Sequence, residues 1–225
     1  SLFFEGLQAV IDSFQFKSLN AYQFRDHLTK STGVDMTSFF KDWVFAPGYS
    51  HFAIDSALVT PNGQDFDVHL YLQQKLKGAS VFHSEVPLDI SFYDSSWTKV
   101  VRTVQVTGQW ADTLLSLPFD PILILLNETQ RLSQARSDDH LLVKNTGTQL
   151  LNSSLSSLTV NSVTDSALLH ISHHWVAADP IVNNPNNFRI SKNHYWSVDG
   201  IIPSTLDASL SLDYNGNAGG GNLDG

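Results

Sequence analysis

A mainly β fold, with a short N-terminal helical segment followed by two antiparallel β-sandwich-like units, is the class that this sequence predicts. Apolar residues recur with the helical period of about 3.6 only over residues 3–45. From residue 49 onwards they alternate with polar residues at the strand period of 2. Turn-forming stretches such as Pro61-Asn62-Gly63 separate these short alternating runs, a spacing typical of β-sandwiches.

The chain length suits one large domain or two small ones, since it has 225 residues, 42% of them hydrophobic and 11% aromatic. We predict a helical end of a larger domain over 1–48, a β-sandwich over 49–135 and a second β-rich domain over 140–225. A polar stretch at 133–139 is predicted to be the linker between the two β domains.

Charge and cysteine content exclude several classes of function. Asp and Glu outnumber Lys and Arg by 22 to 13, and the basic residues form no run, so we expect no nucleic-acid partner. The absence of cysteine removes disulfides, thiolate metal sites and a cysteine nucleophile. No apolar run reaches the ~18 residues of a transmembrane helix, so we also expect no membrane-spanning segment.

Three short helices are predicted before residue 48. The first carries one apolar stripe, formed by Phe4, Leu7, Ile11 and Phe14. The second begins at Asn20, with Gln23 completing a capping box, and ends at Gly33. Asp35 is predicted to cap the third helix, whose apolar face comprises Phe39, Phe40, Trp43 and Val44 and which ends at Pro47-Gly48.

The strand pattern is clearest in the first β unit. Residues 66–72 and 86–92 alternate without a break, and 122–126 is a continuous apolar run, as expected of a strand that is buried on both faces. In the second unit, strands are predicted at 141–143, 158–163, 167–177, 188–191, 194–198 and 206–214, with a loop at 183–187 and a Gly- and Asn-rich tail.

A metal hypothesis comes from the densest histidine group, His170-Ile171-Ser172-His173-His174. On a strand, His170 and His174 share one face and His173 lies on the other. With a carboxylate such as Asp165 or Asp179 they could bind zinc, but we favour the interpretation that they are polar residues of a half-exposed strand, since a zinc site also needs a third ligand and supporting hydrogen bonds. No His-Glu-x-x-His motif occurs. We therefore assign no catalytic, cofactor-binding or metal-binding residue and expect no cofactor in this chain.

Candidate residues for binding sugars, binding calcium or serine catalysis also have a purely structural interpretation. Trp175, Tyr195 and Trp196 could form a sugar-stacking platform or fill a sandwich core, and we favour the core. Four residues near the end of the chain could supply oxygen ligands to calcium, namely Asp207, Asp213, Asn215 and Asn217. Their spacing does not match an EF-hand loop, so we favour a solvated face and a turn. No Gly-x-Ser-x-Gly elbow supports serine catalysis.

A family resemblance lies in residues 22–49. Gly33, Asp35, the pair Phe39-Phe40, Trp43 and Gly48, followed at once by strands, resemble the end of the catalytic domain of gluzincin aminopeptidases. These zinc metallopeptidases are related to membrane alanyl aminopeptidase and leukotriene hydrolase. The resemblance implies a parent enzyme that acts on peptide substrates with zinc. The family's zinc motif, its Gly-rich motif and its transition-state tyrosine all precede this segment, so no catalytic residue carries over.

Two main hypotheses follow. The first is an expressed fragment, a non-catalytic C-terminal region that braces the catalytic domain of the same polypeptide, with Phe39, Phe40 and Trp43 at the junction between helices and sandwich. The alternative is a carbohydrate- or surface-binding β module that uses the three aromatic residues named above. The resemblance favours a secreted, periplasmic or cell-surface bacterial protein. A small metal protein using His170 and His174 is a third hypothesis.

Overall fold

A computed structural model describes residues 1–183 and 190–213 of the chain. Within them the predicted fold class is confirmed, since an N-terminal helical segment precedes four antiparallel three-stranded sheets. Most of the predicted loop at 183–187, the start of the predicted strand at 188–191, Tyr214 and the tail with Asn215 and Asn217 lie outside the described residues.

The helical segment begins as the sequence predicts. Helices α1 (Leu2–Phe14) and α2 (Ala21–Thr32) are followed by a single turn, α3 (Thr37–Phe39), which continues as a π-helical turn over Phe40–Val44. The capping box of α2 is confirmed, because Asn20 Oδ1 accepts from Gln23 N and Gln23 Oε1 accepts from Asn20 N. Gly33 ends α2 with φ 72°, the predicted left-handed stop.

The start of α3 differs slightly from the prediction. Met36 rather than Asp35 occupies the N-cap position. Asp35 nevertheless accepts a hydrogen bond from the Thr37 backbone N–H, at 2.9 Å, so its side chain satisfies one of the free donors at this helix start.

The first β unit is built from two sheets. One has the order β1-β2-β5 and the other the order β4-β3-β6, and apolar residues of all six strands form one core between them. The strands are β1 (Tyr49–Asn62), β2 (Asp65–Lys77), β3 (Val86–Tyr93), β4 (Lys99–Val106), β5 (Trp110–Leu117) and β6 (Leu123–Leu126).

The second β unit repeats this arrangement with its own core. Its sheets have the orders β11-β10-β7 and β12-β9-β8. The strands are β7 (Arg136–Val143), β8 (Gly147–Leu151), β9 (Ser156–Ser162), β10 (Ala167–His174), β11 (Tyr195–Ile201) and β12 (Asp207–Leu212). Strand β8 was not predicted, because four of its five residues are exposed and give no alternating pattern.

The predicted linker at 133–139 is wrong over its second half, which forms the start of β7. Ala135 is buried, and its backbone N–H donates to Ser50 O at 2.8 Å. Asp138 is also buried, paired with Arg136. Polar side chains here bond to one another inside the protein, so the polar composition that suggested a linker belongs to a buried contact.

The two units also meet through a small apolar cluster. Tyr93, Leu123 and Leu125 of the first unit pack with Leu168 of the second. Strand β6 is therefore covered on one side by its own core, through Leu126, and on the other by the second unit. The predicted burial on both faces is confirmed for Leu123–Leu126, because both neighbours remove these side chains from water, but it is wrong for Ile122, which precedes the strand and is exposed.

Candidate functional sites

The contact between α1 and α2 covers only part of the apolar stripe of α1. Val10 and Leu28 are buried between the helices together with Phe40, and Leu7 and Phe14 pack at the margin. The backbones approach closely at Gly6, where an added Cβ would lie 2.7 Å from Thr32 Cγ2. The helical core is thus small, and it cannot accommodate the whole stripe.

The other two stripe residues, Phe4 and Ile11, together with the neighbouring Phe3, form an exposed surface that we call the exposed α1 face. Phe4 is 68% exposed and Ile11 60%, and the Phe3 and Phe4 rings touch edge to face with centroids 5.6 Å apart. Exposed apolar side chains are concentrated in the whole helical segment, where they also include Leu2, Phe16, Leu19, Tyr22, Val34, Phe39, Val44 and Phe45. Large exposed apolar surfaces of this kind mark sites of contact with other protein surfaces.

A buried carboxylate attaches the π-helical turn to the first β unit. Asp42 is 2% exposed, and its Oδ2 accepts from Ser84 N at 2.7 Å and from Ser84 Oγ at 3.1 Å. Beside it, Trp43 packs against the sandwich core and against the His83 ring, with centroids 4.4 Å apart. Burial lowers the pKa of His83, and the nearby Asp42 carboxylate opposes this shift.

The predicted junction residues therefore divide into different roles. Trp43 packs at the contact between helices and sandwich, as predicted. Phe40 instead lies in the helical core, and Phe39 is 53% exposed, so the prediction is wrong for these two residues. Asp42 was missed, because a carboxylate between aromatic residues normally indicates the solvent-facing side of a helix.

Gly48 explains why the helical segment ends so abruptly. Its φ of 82° is left-handed, and an added Cβ would lie 2.3 Å from the carbonyl carbon of Gly78. The start of β1 and the end of β2 approach too closely here for any side chain. Glycine at this position allows the chain to turn directly from the π-helical turn into the first sheet.

A cavity of about 380 Å³ lies between the two β units. Ala53, Ile54 and Ala57 of the first unit line one side, together with β6. The polar lining comes from the second unit and comprises Arg136, His170, Ser172, His174, Tyr195, Ser197 and Asp199. The cavity therefore has one apolar wall and one wall rich in titratable groups.

A chain of hydrogen bonds crosses between the units beside this cavity. His51 Nε2 of β1 lies 2.7 Å from His174 Nδ1 of β10, and His174 Nε2 lies 2.9 Å from Ser197 Oγ of β11. Register places His174 opposite Tyr195 on β11, and their rings stack with centroids 4.1 Å apart. Both histidine rings are buried.

Electrostatics keep these two rings neutral. Burial, followed by the Arg136 and Lys75 cations, lowers the pKa of His51 to about 3. Burial, then His51 and Arg136, lowers the pKa of His174 to about 2. Since each ring is uncharged near neutral pH, one nitrogen of the pair donates and the other accepts.

The geometry resembles a catalytic relay, but the charges oppose that chemistry. A nucleophilic serine needs a base whose protonated form is stabilised, usually by a carboxylate behind the histidine. Here a neutral histidine occupies that position and Arg136 and Lys75 lie nearby. His174 is consequently a weak base, and the arrangement is suited to holding the units together rather than to activating Ser197.

Arg136 provides a second polar link between the units. Its Nη2 donates to the Leu126 carbonyl of β6 at 2.6 Å, and its Nε and Nη2 both donate to the Asp138 carboxylate. His170 Nε2 lies 3.7 Å from the same carboxylate. Burial lowers the pKa of His170 to about 4, although Asp138 opposes the shift.

Glu128 provides a third link. It pairs with Lys99 at 2.6 Å and accepts from the Tyr93 hydroxyl, both in the first unit, and it lies 3.2 Å from His140 on β7 of the second unit. Burial acts to raise the pKa of Glu128, but hydrogen bonds led by those from His140 and Lys99 hold it well below its ordinary value.

The suggested zinc ligands are not brought together as a set. His170 and His174 do share one face, but Asp179 pairs with Lys75 at 2.9 Å and Asp165 accepts from Thr205. Across residues 1–183 and 190–213, no group of three or more His, Cys, Asp or Glu residues could hold a metal ion. Of the suggested calcium ligands, Asp207 begins β12 and Asp213 follows its end, while the other two lie outside the described residues.

The three aromatic candidates do not form one platform. Tyr195 stacks on His174, whereas Trp175 and Trp196 both pack on the His173 ring, with centroids 4.0 and 4.2 Å away. Neighbouring residues 195 and 196 alternate between opposite faces of β11, which separates them. All three are half-buried, so they occupy neither the core position that the sequence favoured nor a fully exposed platform.

Comparison with known proteins adds no assignment, since neither protein-family models nor characterised sequences match this chain. No helix in the described part of the chain is long and apolar enough to cross a membrane.

Proposed function

We propose that this chain is the non-catalytic C-terminal region of a zinc aminopeptidase-like protein, in which it braces the catalytic domain. The exposed α1 face carries this proposal. A helical segment with a small core of its own and a large uncovered apolar surface needs a further surface to pack against. The resemblance over residues 22–49 supports the catalytic domain of the same polypeptide as the partner that covers this face.

The junction supports a bracing role. Asp42 and Trp43 attach the end of the helical segment to the first β unit through buried contacts. A domain packed on α1 would thus be connected to the sandwich through a short, well-packed element rather than through a loose tether. Burying Phe4 and Ile11 would each contribute about 1.5–3 kcal/mol to that contact.

Zinc and peptide substrates belong to the parent in this proposal, together with a secreted, periplasmic or cell-surface bacterial location. The chain itself is expected to hydrolyse no aminoacyl-naphthylamide with added zinc. Chelator-sensitive turnover by the purified chain would exclude the non-catalytic role.

Two further experiments test the occupant. The coding sequence before Ser1 is expected to encode His-Glu-x-x-His and a later Glu. The separately produced upstream domain is expected to bind this chain, and Phe4→Ser with Ile11→Ser is expected to weaken binding at least tenfold. Leu114→Ser is the matched control, because Leu114 is 65% exposed on β5 of the first unit. Equal effects of the two variants would exclude the α1 face as the contact.

The alternative function, a carbohydrate- or surface-binding module, now rests on Trp175 and Trp196, which share one aromatic cluster around His173. It predicts saturable glycan binding that Trp196→Ala abolishes. Flat calorimetric titrations across a glycan panel would remove this alternative.

A further inference from the structure

The two β units have separate cores, and the apolar contact that joins them is small. The shared apolar cluster comprises only Tyr93, Leu123, Leu125 and Leu168, with Trp97 and Ile201 at its margin. Polar links supply much of the remaining contact. Among these, the bond between His51 and His174 joins β1, the longest strand of the first unit, to β10, the central strand of one sheet of the second unit.

The surroundings of this pair are unfavourable to positive charge. His51 lies opposite Lys75 on β2, and His174 lies opposite Arg136 on β7. Two nearby anions are engaged elsewhere, since Asp138 bonds Arg136 and Asp179 bonds Lys75, and burial raises the pKa of a third carboxyl group, Asp199. The other titratable groups facing the pair are Tyr195 and Asp199 on β11 and His170 and His173 on β10.

We propose that the His51–His174 pair is an acid-sensitive latch, which holds the two β units together near neutral pH and releases them on acidification. A first proton places a charge in a buried site beside Arg136 and Lys75, where it is poorly solvated. A second proton leaves N–H groups facing each other across 2.7 Å, which abolishes the hydrogen bond. Separation of the units returns both rings to water and opens the cavity.

Proton linkage gives the direction and the size of the pH effect on the opening of the two β units. Because the closed state lowers the pKa of His51 to about 3 and of His174 to about 2, it binds fewer protons than the open state below pH ~6.5. Closure is thus fully stable above this pH and weakens as the pH falls. At pH 5 the opening equilibrium is expected to rise about 30-fold for one histidine and about 1000-fold for both.

Hydrogen exchange tests the latch. The backbone N–H of Ala135 bonds to Ser50 O and that of Trp175 bonds to Ala135 O, so both report on this contact. After correction for intrinsic rates, their opening is expected to increase by 30- to 1000-fold between pH 7.5 and pH 5. His51→Gln with His174→Gln is expected to reduce this response at least tenfold, and the response that remains is assigned to His170, which lines the same cavity and whose pKa is also lowered by burial. His69→Gln, in a histidine of β2 that bonds Asp112 away from the contact, is expected to leave it unchanged.

A pH titration of the His51 and His174 imidazole rings in the unaltered chain tests the latch even if the double variant does not fold. Nuclear magnetic resonance of the imidazoles should show both rings neutral in the closed state at pH 5. Titration of either ring near pH 6.5 without opening would overturn the latch, as would a full pH response in a folded double variant. The outcome is independent of the proposed bracing function, which concerns the α1 face.

Discussion

The Asp42 carboxylate offers the sharpest test of the junction between helices and sandwich. It is the only partner seen for the Ser84 backbone N–H and hydroxyl in the described structure, at 2.7 and 3.1 Å. Hydrogen bonds to a charged acceptor contribute about 1.5–3 kcal/mol each, and a partly buried N–H left without an acceptor adds a desolvation cost. Both bonds end on the same Oδ2 atom, and the substitution also removes a buried charge that is costly to desolvate, so Asp42→Ala is expected to lower the free energy of unfolding by about 2–4 kcal/mol, less than the sum of two separate bonds.

Urea denaturation measures the decrease in the free energy of unfolding of the whole chain, and hydrogen exchange of the Ser84 amide measures the local loss of protection at the junction. Asp42→Asn retains an acceptor at the Oδ2 position, so we expect roughly half the loss of Asp42→Ala. Asp65→Asn is the control, since Asp65 is an exposed carboxylate on β2. A loss below about 0.5 kcal/mol for Asp42→Ala, or unchanged protection of the Ser84 amide, would refute the reasoning.

Three other substitutions test separate parts of the fold. Gly48→Ala places a Cβ against the Gly78 backbone in a left-handed conformation, so thermal unfolding should show that the free energy of unfolding falls by at least about 2 kcal/mol. Gly63→Ala is the control, because Gly63 is also left-handed but has open space around it, and it should lower the free energy of unfolding by about 1 kcal/mol. Arg136→Met leaves the buried Asp138 charge uncompensated and should cost about 3–5 kcal/mol in urea, compared with under about 0.5 for the exposed Arg102→Met. Asn20→Ala removes the capping box and should reduce stability by about 1 kcal/mol, and an unchanged exchange rate at the Gln23 amide would contradict the capping role.

Local features were predictable where one short segment supplies all the partners. The Asn20 capping box and the Gly33 stop each depend on residues within four positions, and both are confirmed. The strands with alternating apolar and polar residues were predictable for a similar reason, because every second side chain of a strand faces the same side of the sheet and the apolar ones face the core. Strand β8 was not predicted, since four of its five residues are exposed and its sequence therefore shows no alternation of apolar and polar residues.

The candidate sites were much less predictable. Asp42 finds its partner 42 residues away in Ser84, and His51 finds its partner 123 residues away in His174. Nothing in either local stretch distinguishes a buried polar residue from an exposed one. The histidine group at 170–174 did attract attention, but the structure gives its members different partners from those of a zinc site.

Apart from β8 and the start of β7, the sequence by itself determined the order of helices and strands, the mainly β class and the excess of apolar residues on α1, because these depend on local periodicity and capping. Only the tertiary structure decided that 136–139 belongs to a strand, that the Gly48 backbone touches Gly78, and that neutral histidines bridge the two β units. The physical reason is that burial and hydrogen-bond partners come from distant segments, and they set whether a polar residue faces water, pairs in the interior or changes its affinity for protons.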